Sequence, residues 1–300
     1  MNLLLLLIFA AMVSCTRRIT KEENDIIQVN CGLPKLRKNH HPLEARHKLI
    51  DKYPWSVFIQ VNSSGTNSSC DGNLISFRHL LTTARKPVLK DIEIFSLYVG
   101  SKCRGSGSCA KRHSVTKVWV NEKYLYCSDF HDTAILEFED DVSIKEASPI
   151  CLPEKNLKLD KKMKTIVLKS NGSVNDPESR SMKVQKFSEH NEERKLHQII
   201  TNRTEEEKSE CMEGGGGPLF QLTQWRRNTL VGVRSPSDCK SNSKGGNNTR
   251  FADIRYQIDW ICATIGVCPA NLKTESCDES KGEICGHTFL VLLLNGTDTN

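Results

Sequence analysis

Three short stretches carry the residues from which acyl-transfer chemistry could be assembled: Leu81-Thr82-Thr83-Ala84-Arg85-Lys86, Asp132-Thr133-Ala134-Ile135-Leu136, and Cys211-Met212-Glu213-Gly214-Gly215-Gly216-Gly217-Pro218-Leu219. Transfer through a serine hydroxyl needs a nucleophile, a base beside it, a carboxylate that orients the base, and backbone N–H donors for the oxyanion. Asp132 is a carboxylate of the required kind. Arg85 stays protonated at any physiological pH and takes no proton, and a glycine side chain is a hydrogen, which attacks no carbonyl. His79 and His131 are near in sequence; the side chain of His131 is expected on the opposite face from that of Asp132. Both read as structural or surface histidines, and neither restores a missing hydroxyl. No Cys-x-x-Cys unit or nearby pair of histidine ligands accompanies the 13 cysteines, so no metal and no cofactor is expected.

The elements that would position these residues are strands. Apolar runs recur at Trp55–Val61, Leu74–Leu81, Ile94–Val99, Ser114–Val120 and Thr133–Phe138, and again at Lys164–Lys169, Ser181–Phe187, Leu196–Thr201, Pro218–Leu222 and Thr229–Arg234. Val57, Ile59 and Val61 alternate with Phe58 and Gln60, the period of a strand. Many short strands and few helical stretches imply an all-β sandwich or barrel, and two such halves suit a double β-barrel. One helix is expected near the end, over Tyr256–Ile265, with Gly266 as its stop. The charged stretch Glu189–Glu210 reads as an exposed loop interrupted by one strand.

The ends bound the compartment. Residues 1–15, an apolar run followed by small residues, read as a cleaved secretory signal, too short for a membrane span. Its removal takes Cys15 away and leaves an even number of cysteines, which in a secreted chain implies a disulfide framework. Asn-x-Ser/Thr sequons at Asn62, Asn67, Asn171, Asn202, Asn247 and Asn295 are then candidate glycan carriers, expected on loops and in the tail. Net charge is +6, from 42 basic against 36 acidic residues, which is no nucleic-acid footprint. Basic clusters at Lys35–Lys38, Lys158–Lys164 and Arg226-Arg227 read as solvated surface, with an acidic glycan or protein partner as the alternative. Residues 16–52 form an expected leader and residues 269–300 an appended tail tethered by Cys277 and Cys285.

The glycine run resembles the nucleophile loop Cys-x-Gly-Asp-Ser-Gly-Gly-Pro-Leu of the trypsin/chymotrypsin family. Tyr53-Pro54-Trp55-Ser56-Val57 is similar to that family's first-barrel entry, and Cys70-Asp71-Gly72-Asn73-Leu74-Ile75-Ser76 to its Cys-Gly-Gly-x-Leu-Ile-Ser strand. Asp132–Leu136 resembles Asp-Ile-Ala-Leu-Leu, and Pro149-Ile150-Cys151-Leu152-Pro153 resembles the linker between barrels. The Cys31-Gly32 leader and the Cys262–Cys268 ending look most like divergent secreted trypsin-like proteins of nematodes.

The resemblance implies two six-stranded antiparallel β-barrels over residues 53–268, with a short C-terminal helix and a cysteine-containing tail. It puts Arg85 at the base position, where the family reads Leu-Thr-Ala-Ala-His-Cys, Asp132 at the acid position and Gly215 at the nucleophile. It puts Glu213 and Gly215 at the oxyanion-hole positions, where a glutamate anion opposes developing negative charge. Ser209 falls at the specificity-pocket base and Ser235-Pro236-Ser237 at the substrate strand, where proline limits pairing. The activation pair is missing too, since Glu44–Leu49 stands at the cleavage site and Gly214 at the partner aspartate. Implied disulfides are Cys31 with Cys151 and Cys211 with Cys239; Cys70, Cys103, Cys109, Cys127, Cys262, Cys268, Cys277 and Cys285 stay unassigned. The expected function is binding by a secreted, catalytically inactive homologue. A serine-type endopeptidase with a non-standard nucleophile and base is the alternative.

Overall fold

Alternation along Val57, Ile59 and Val61 becomes strand β1 (Ser56–Ser63), whose three apolar side chains are buried while Phe58 and Gln60 are half-buried. The computed structural model describes residues 18–33, 53–63, 66–85, 87, 91–100, 112–125, 130–144, 146–167, 178–187 (main chain only), 197–203, 215–223, 225–236, 248–270 and 272. Around β1 lie β2 (Thr66–Leu74), β3 (His79–Thr82), β4 (Phe95–Val99), β5 (Arg112–His113), β6 (Val115–Val120) and β7 (Ala134–Phe138). They form a seven-stranded sheet in the order β5-β4-β1-β2-β3-β7-β6. Strands β8 (Lys162–Val167), β9 (Glu178–Phe187), β10 (Gln198–Arg203), β11 (Pro218–Leu222), β12 (Asn228–Arg234) and β13 (Asn248–Asp253) close into a barrel in the order β10-β13-β12-β11-β8-β9.

The all-β architecture agrees with the periodicity, and the expectation of two six-stranded barrels needs correction. The first sheet has seven strands because β5, two residues long, caps its edge beside β4. The run Leu74–Leu81 is not one strand but two. Ser76 breaks it, its hydroxyl accepting from the N–H groups of Arg78 and His79 while Ile75 N–H donates to the carbonyl of His79.

The leader is also more than a tether. Residues Lys21–Asn30 form helix α1, started by a reciprocal capping box in which Thr20 and Glu23 exchange side-chain and main-chain bonds. Asn24 pairs with both the N–H and the carbonyl of Cys268, and Arg18 donates to the carbonyl of Cys262 at 2.7 Å. These bonds dock α1 on the C-terminal helix α2 (Ile258–Ile265). Gly266 ends α2 at φ +80°, and a β-carbon there would run into the main chain of Ile19. Disulfides join Cys31 to Cys151 and Cys262 to Cys268; Cys211 and Cys239 lie outside the described residues.

One core runs through both sheets, with Leu81, Ile135 and Leu136 from the first and Phe220, Leu230 and Val233 from the second. At its centre the rings of Tyr53, Trp55 and Phe220 meet edge to face at centroid distances of 5.7 to 5.9 Å. A smaller cluster of Met163, Ile199, Leu219, Val231 and Phe251 fills the closed barrel. Among the described residues no helix is long and apolar enough to cross a membrane.

Candidate functional site

The glycine run is held between the two sheets by its main chain. Gly215 accepts at its carbonyl from the N–H of Asp71 in β2 (2.9 Å), and Gly216 donates its N–H to the carbonyl of Arg234 in β12 (2.7 Å). The Gly216 carbonyl accepts from the Asn73 amide (2.7 Å), and the Gly217 carbonyl accepts from Arg234 N–H (2.8 Å). Gly216 sits at φ +88°, with no room for a β-carbon against the carbonyl of Asp71. Only glycine satisfies both conditions.

Directly behind the run is an ion pair that crosses from one sheet to the other. Arg234 Nη2 donates to Asp71 Oδ2 at 2.9 Å, with the arginine side chain wholly buried and the aspartate 9% exposed. A β-carbon on Gly217 would stand 3.2 Å from the guanidinium carbon and 3.3 Å from Asp71 Oδ2, so the glycine lies flat on the pair. Charge is buried here at the cost of desolvation, which the pairing offsets.

Asp132 is buried just before β7. The hydroxyl of Thr83 donates to both its carboxylate oxygens (2.7 and 2.8 Å), and the N–H of Arg85 donates to Oδ1 (3.1 Å). The guanidinium of Arg85 does not take part: the side chain is exposed, and the residue reaches Asp132 through its main chain. The carboxylate is thus held by a hydroxyl and a main-chain amide rather than by an ion pair with Arg85. Thr83 also closes the approach to Gly215. A β-carbon on Gly215 would lie 2.8 Å from the Thr83 methyl and 2.7 and 2.8 Å from Cγ and Cδ of Pro236. The main chain of Arg85, the carboxylate of Asp132 and the α-carbon of Gly215 are thus gathered around one threonine. Glu213, Ser209 and Gly214 lie outside the described residues.

On the flank of Asp132 the backbone turns sharply, with His131 at φ +49°. Its ring meets that of His197 at 5.3 Å, and His197 stacks on Tyr256 at 4.0 Å. Burial, the neighbouring His197 and Lys123 together lower the pKa of His131 to about 4. Close by, Thr133 and Asn121 both donate to the side-chain oxygen of Gln257, tying the first sheet to the start of α2. His79 is fully buried in β3, its Nδ1 sharing a hydrogen bond with the Ser76 hydroxyl (2.9 Å); burial lowers its pKa to about 3.

Sequence reasoning passed over three participants. Arg234 was visible as a charge ending the apolar run Thr229–Arg234, and Asp71 replaces a glycine of the resembled strand motif, but nothing local pairs residues so far apart. Thr83 replaces an alanine of Leu-Thr-Ala-Ala-His-Cys, a change that gains meaning only once Asp132 is seen beside it.

The sequence model of the family described as Trypsin matches residues 44–261. The chain belongs to the trypsin family. The match takes in every strand from β1 to β13 and leaves α1 and the Cys262–Cys268 disulfide outside its bounds. In this trypsin-family chain, among the described residues, no group of three or more His, Cys, Asp or Glu side chains is arranged to hold a metal ion. Of the sequons, Asn62 is exposed at the end of β1 and faces Asn67 across the β1–β2 pair. Asn202 falls in β10 opposite Asn248, contrary to the expectation of a loop. Asn171, Asn247 and Asn295 lie outside the described residues.

Proposed function

We propose that this member of the trypsin family is a secreted homologue that binds protein or acidic glycan and does not hydrolyse peptides. In this reading Arg85, Asp132 and Gly215 stand at the base, acid and nucleophile positions, Glu213 and Gly215 at the oxyanion positions, and Ser209 at the pocket base. The observation that carries it is the space at Gly215. Atoms of Pro236 and Thr83 stand within 2.8 Å of where a β-carbon would be, nearer than two carbon atoms approach without repulsion. The position lacks a hydroxyl and also lacks room for one. Asp132 supports the same reading, because its carboxylate is bonded by the Thr83 hydroxyl and the Arg85 amide, neither of which can act as a base.

Other parts of the proposal rest on sequence. Removal of residues 1–15 delivers a chain whose barrel domain spans 53–268 and whose tail runs over 269–300. Export suits the Cys31–Cys151 bridge, adds a Cys211–Cys239 bridge, and exposes the sequons to glycosylation. The Cys31-Gly32 leader and the Cys262–Cys268 ending support a likeness to divergent secreted trypsin-like proteins of nematodes.

The direct test is restoration. The Gly215→Ser/Arg85→His protein should not cleave a mixed peptide library, and Gly215→Ser alone should lose about 1–3 kcal/mol of stability through overpacking. Cleavage by the wild-type chain would favour the alternative, a serine-type endopeptidase with a non-standard nucleophile and base.

A further inference from the structure

Two basic clusters that are remote in sequence are brought together by the closed barrel. In the β8–β11 pairing Leu219 stands opposite Thr165 and Phe220 opposite Lys164. Side chains alternate along each strand, so Lys162, Lys164 and Leu222 share the outward face. The preceding segment is attached to β11: Gln221 donates from Nε2 to the carbonyl of Lys158 and accepts at Oε1 from the N–H of Asp160, both at 3.0 Å. Lys158, Lys161, Lys162 and Lys164 are all exposed, with Asp160 and Glu154 as the acidic residues of that stretch.

Beyond Leu222 the chain turns into β12 at Trp225-Arg226-Arg227. The turn is closed by Arg226 N–H on the carbonyl of Thr223 (2.8 Å) and Thr223 N–H on the carbonyl of Arg227 (2.9 Å). Arg227 is held from behind, its guanidinium donating to the carbonyls of Val29 and Cys31 at the end of α1. Trp225 is 84% exposed and Leu222 53% exposed. Arg226 holds φ +55°, a conformation costing a non-glycine residue about 1–2 kcal/mol.

We propose that this face, Trp225 and Arg226 with Lys158, Lys161, Lys162 and Lys164, is a docking site for a sulfated polysaccharide. The inference rests on the reading of the chain as an exported binding protein, since export makes glycans the polyanions it meets. Charge complementarity selects the class: lysines along one edge attract a linear polyanion and release its counterions, while an indole offers its face to the C–H groups of a sugar ring. A protein partner fits less well, because lysine is depleted from protein–protein interfaces and the apolar groups here are a single indole and a leucine, not a broad patch. A membrane fits less well for the same shortage of apolar surface.

The experiment measures binding of the intact secreted chain to four probes: a heparin oligosaccharide, its desulfated counterpart, phosphatidylserine vesicles and polyglutamate. Heparin should bind, the desulfated form should not, and affinity should fall linearly with log salt on a log scale. Trp225→Ala and Lys161→Ala/Lys162→Ala, all at exposed positions and so expected to leave thermal melting unchanged, should each weaken binding by about fivefold or more. Equal binding of the desulfated form, heparin binding unaffected by these variants, no binding at all, or tighter binding to vesicles or polyglutamate would overturn the proposal. None of these outcomes involves hydrolysis, so a chain that cleaved peptides and still bound heparin through Trp225 would refute the non-catalytic reading alone.

Discussion

Asp71 and Arg234 show how two buried charges are tolerable only together. A charge buried without its partner is costly, and removing one member of such a pair typically loses about 3–5 kcal/mol, whereas replacing both with apolar groups of similar size is often neutral. Arg234→Met and Asp71→Leu should each destabilise by about that amount, with the double variant close to wild type. Additive losses in urea unfolding would show that the charges act independently. The same logic separates Thr83 from Arg85. Thr83→Val removes the hydroxyl that serves Asp132 and should lose about 1.5–3 kcal/mol, the range for a hydrogen bond to a charged group. Arg85→Ala keeps the amide and removes only an exposed side chain, so its change should stay within about 0.5 kcal/mol.

Strand β3 carries a pH dependence that can be worked out by sign. The folded pKa of His79, about 3, lies below its ordinary 6.5, because burial disfavours the cation. Between those values the unfolded chain binds more protons than the folded one, so stability is complete above pH 6.5 and falls on acidification toward pH 3. The slope is about 1.4 kcal/mol per pH unit for one fully displaced histidine, or about 2 kcal/mol between pH 6.5 and 5. Chemical denaturation of His79→Gln should show an acid limb shallower by about one proton; an unchanged slope would mean that the imidazole is protonated in place. The half-buried His131 adds a smaller contribution of the same sign, screened by solvent.

At this scale, too, the limits of reading a sequence have physical causes. Strand β1 was legible from the alternation of buried Val57, Ile59 and Val61 with half-buried Phe58 and Gln60, and β4 and β7 as short apolar runs that are buried at nearly every position. Strand β13 was not, since Asn248–Asp253 has the single large apolar residue Phe251 and is fixed by pairing with β10 and β12. Helix α1 left a local sign in Thr20 and Glu23, yet its low apolar content hid it; bonds from Asn24 to Cys268, just beyond α2, hold it in place.

In the whole molecule the two sheets share a core, so they should melt as one unit. Phe220 reaches from β11 into the aromatic pair of the first sheet, and Phe220→Ala should lose about 3–5 kcal/mol while keeping a single calorimetric transition. Two resolved transitions would mean that the sheets are independently stable. The site lies where these sheets meet. Its order along the chain was legible from the motifs, because Leu81–Lys86, Asp132–Leu136 and the glycine run follow the family's sequence. Its closure was not, because Thr83 and Pro236 exclude a side chain at Gly215, and the Asp71–Arg234 pair backs Gly217, only through contacts that bring distant segments together.

On the proposed reading, the folded chain holds no activated serine. Treating purified protein with a fluorophosphonate probe and reading the intact mass tests this most directly. We predict no stoichiometric adduct under conditions in which an active trypsin-family protease is fully labelled. One probe per chain, mapped to a serine and accompanied by probe-sensitive peptide hydrolysis, would contradict the account.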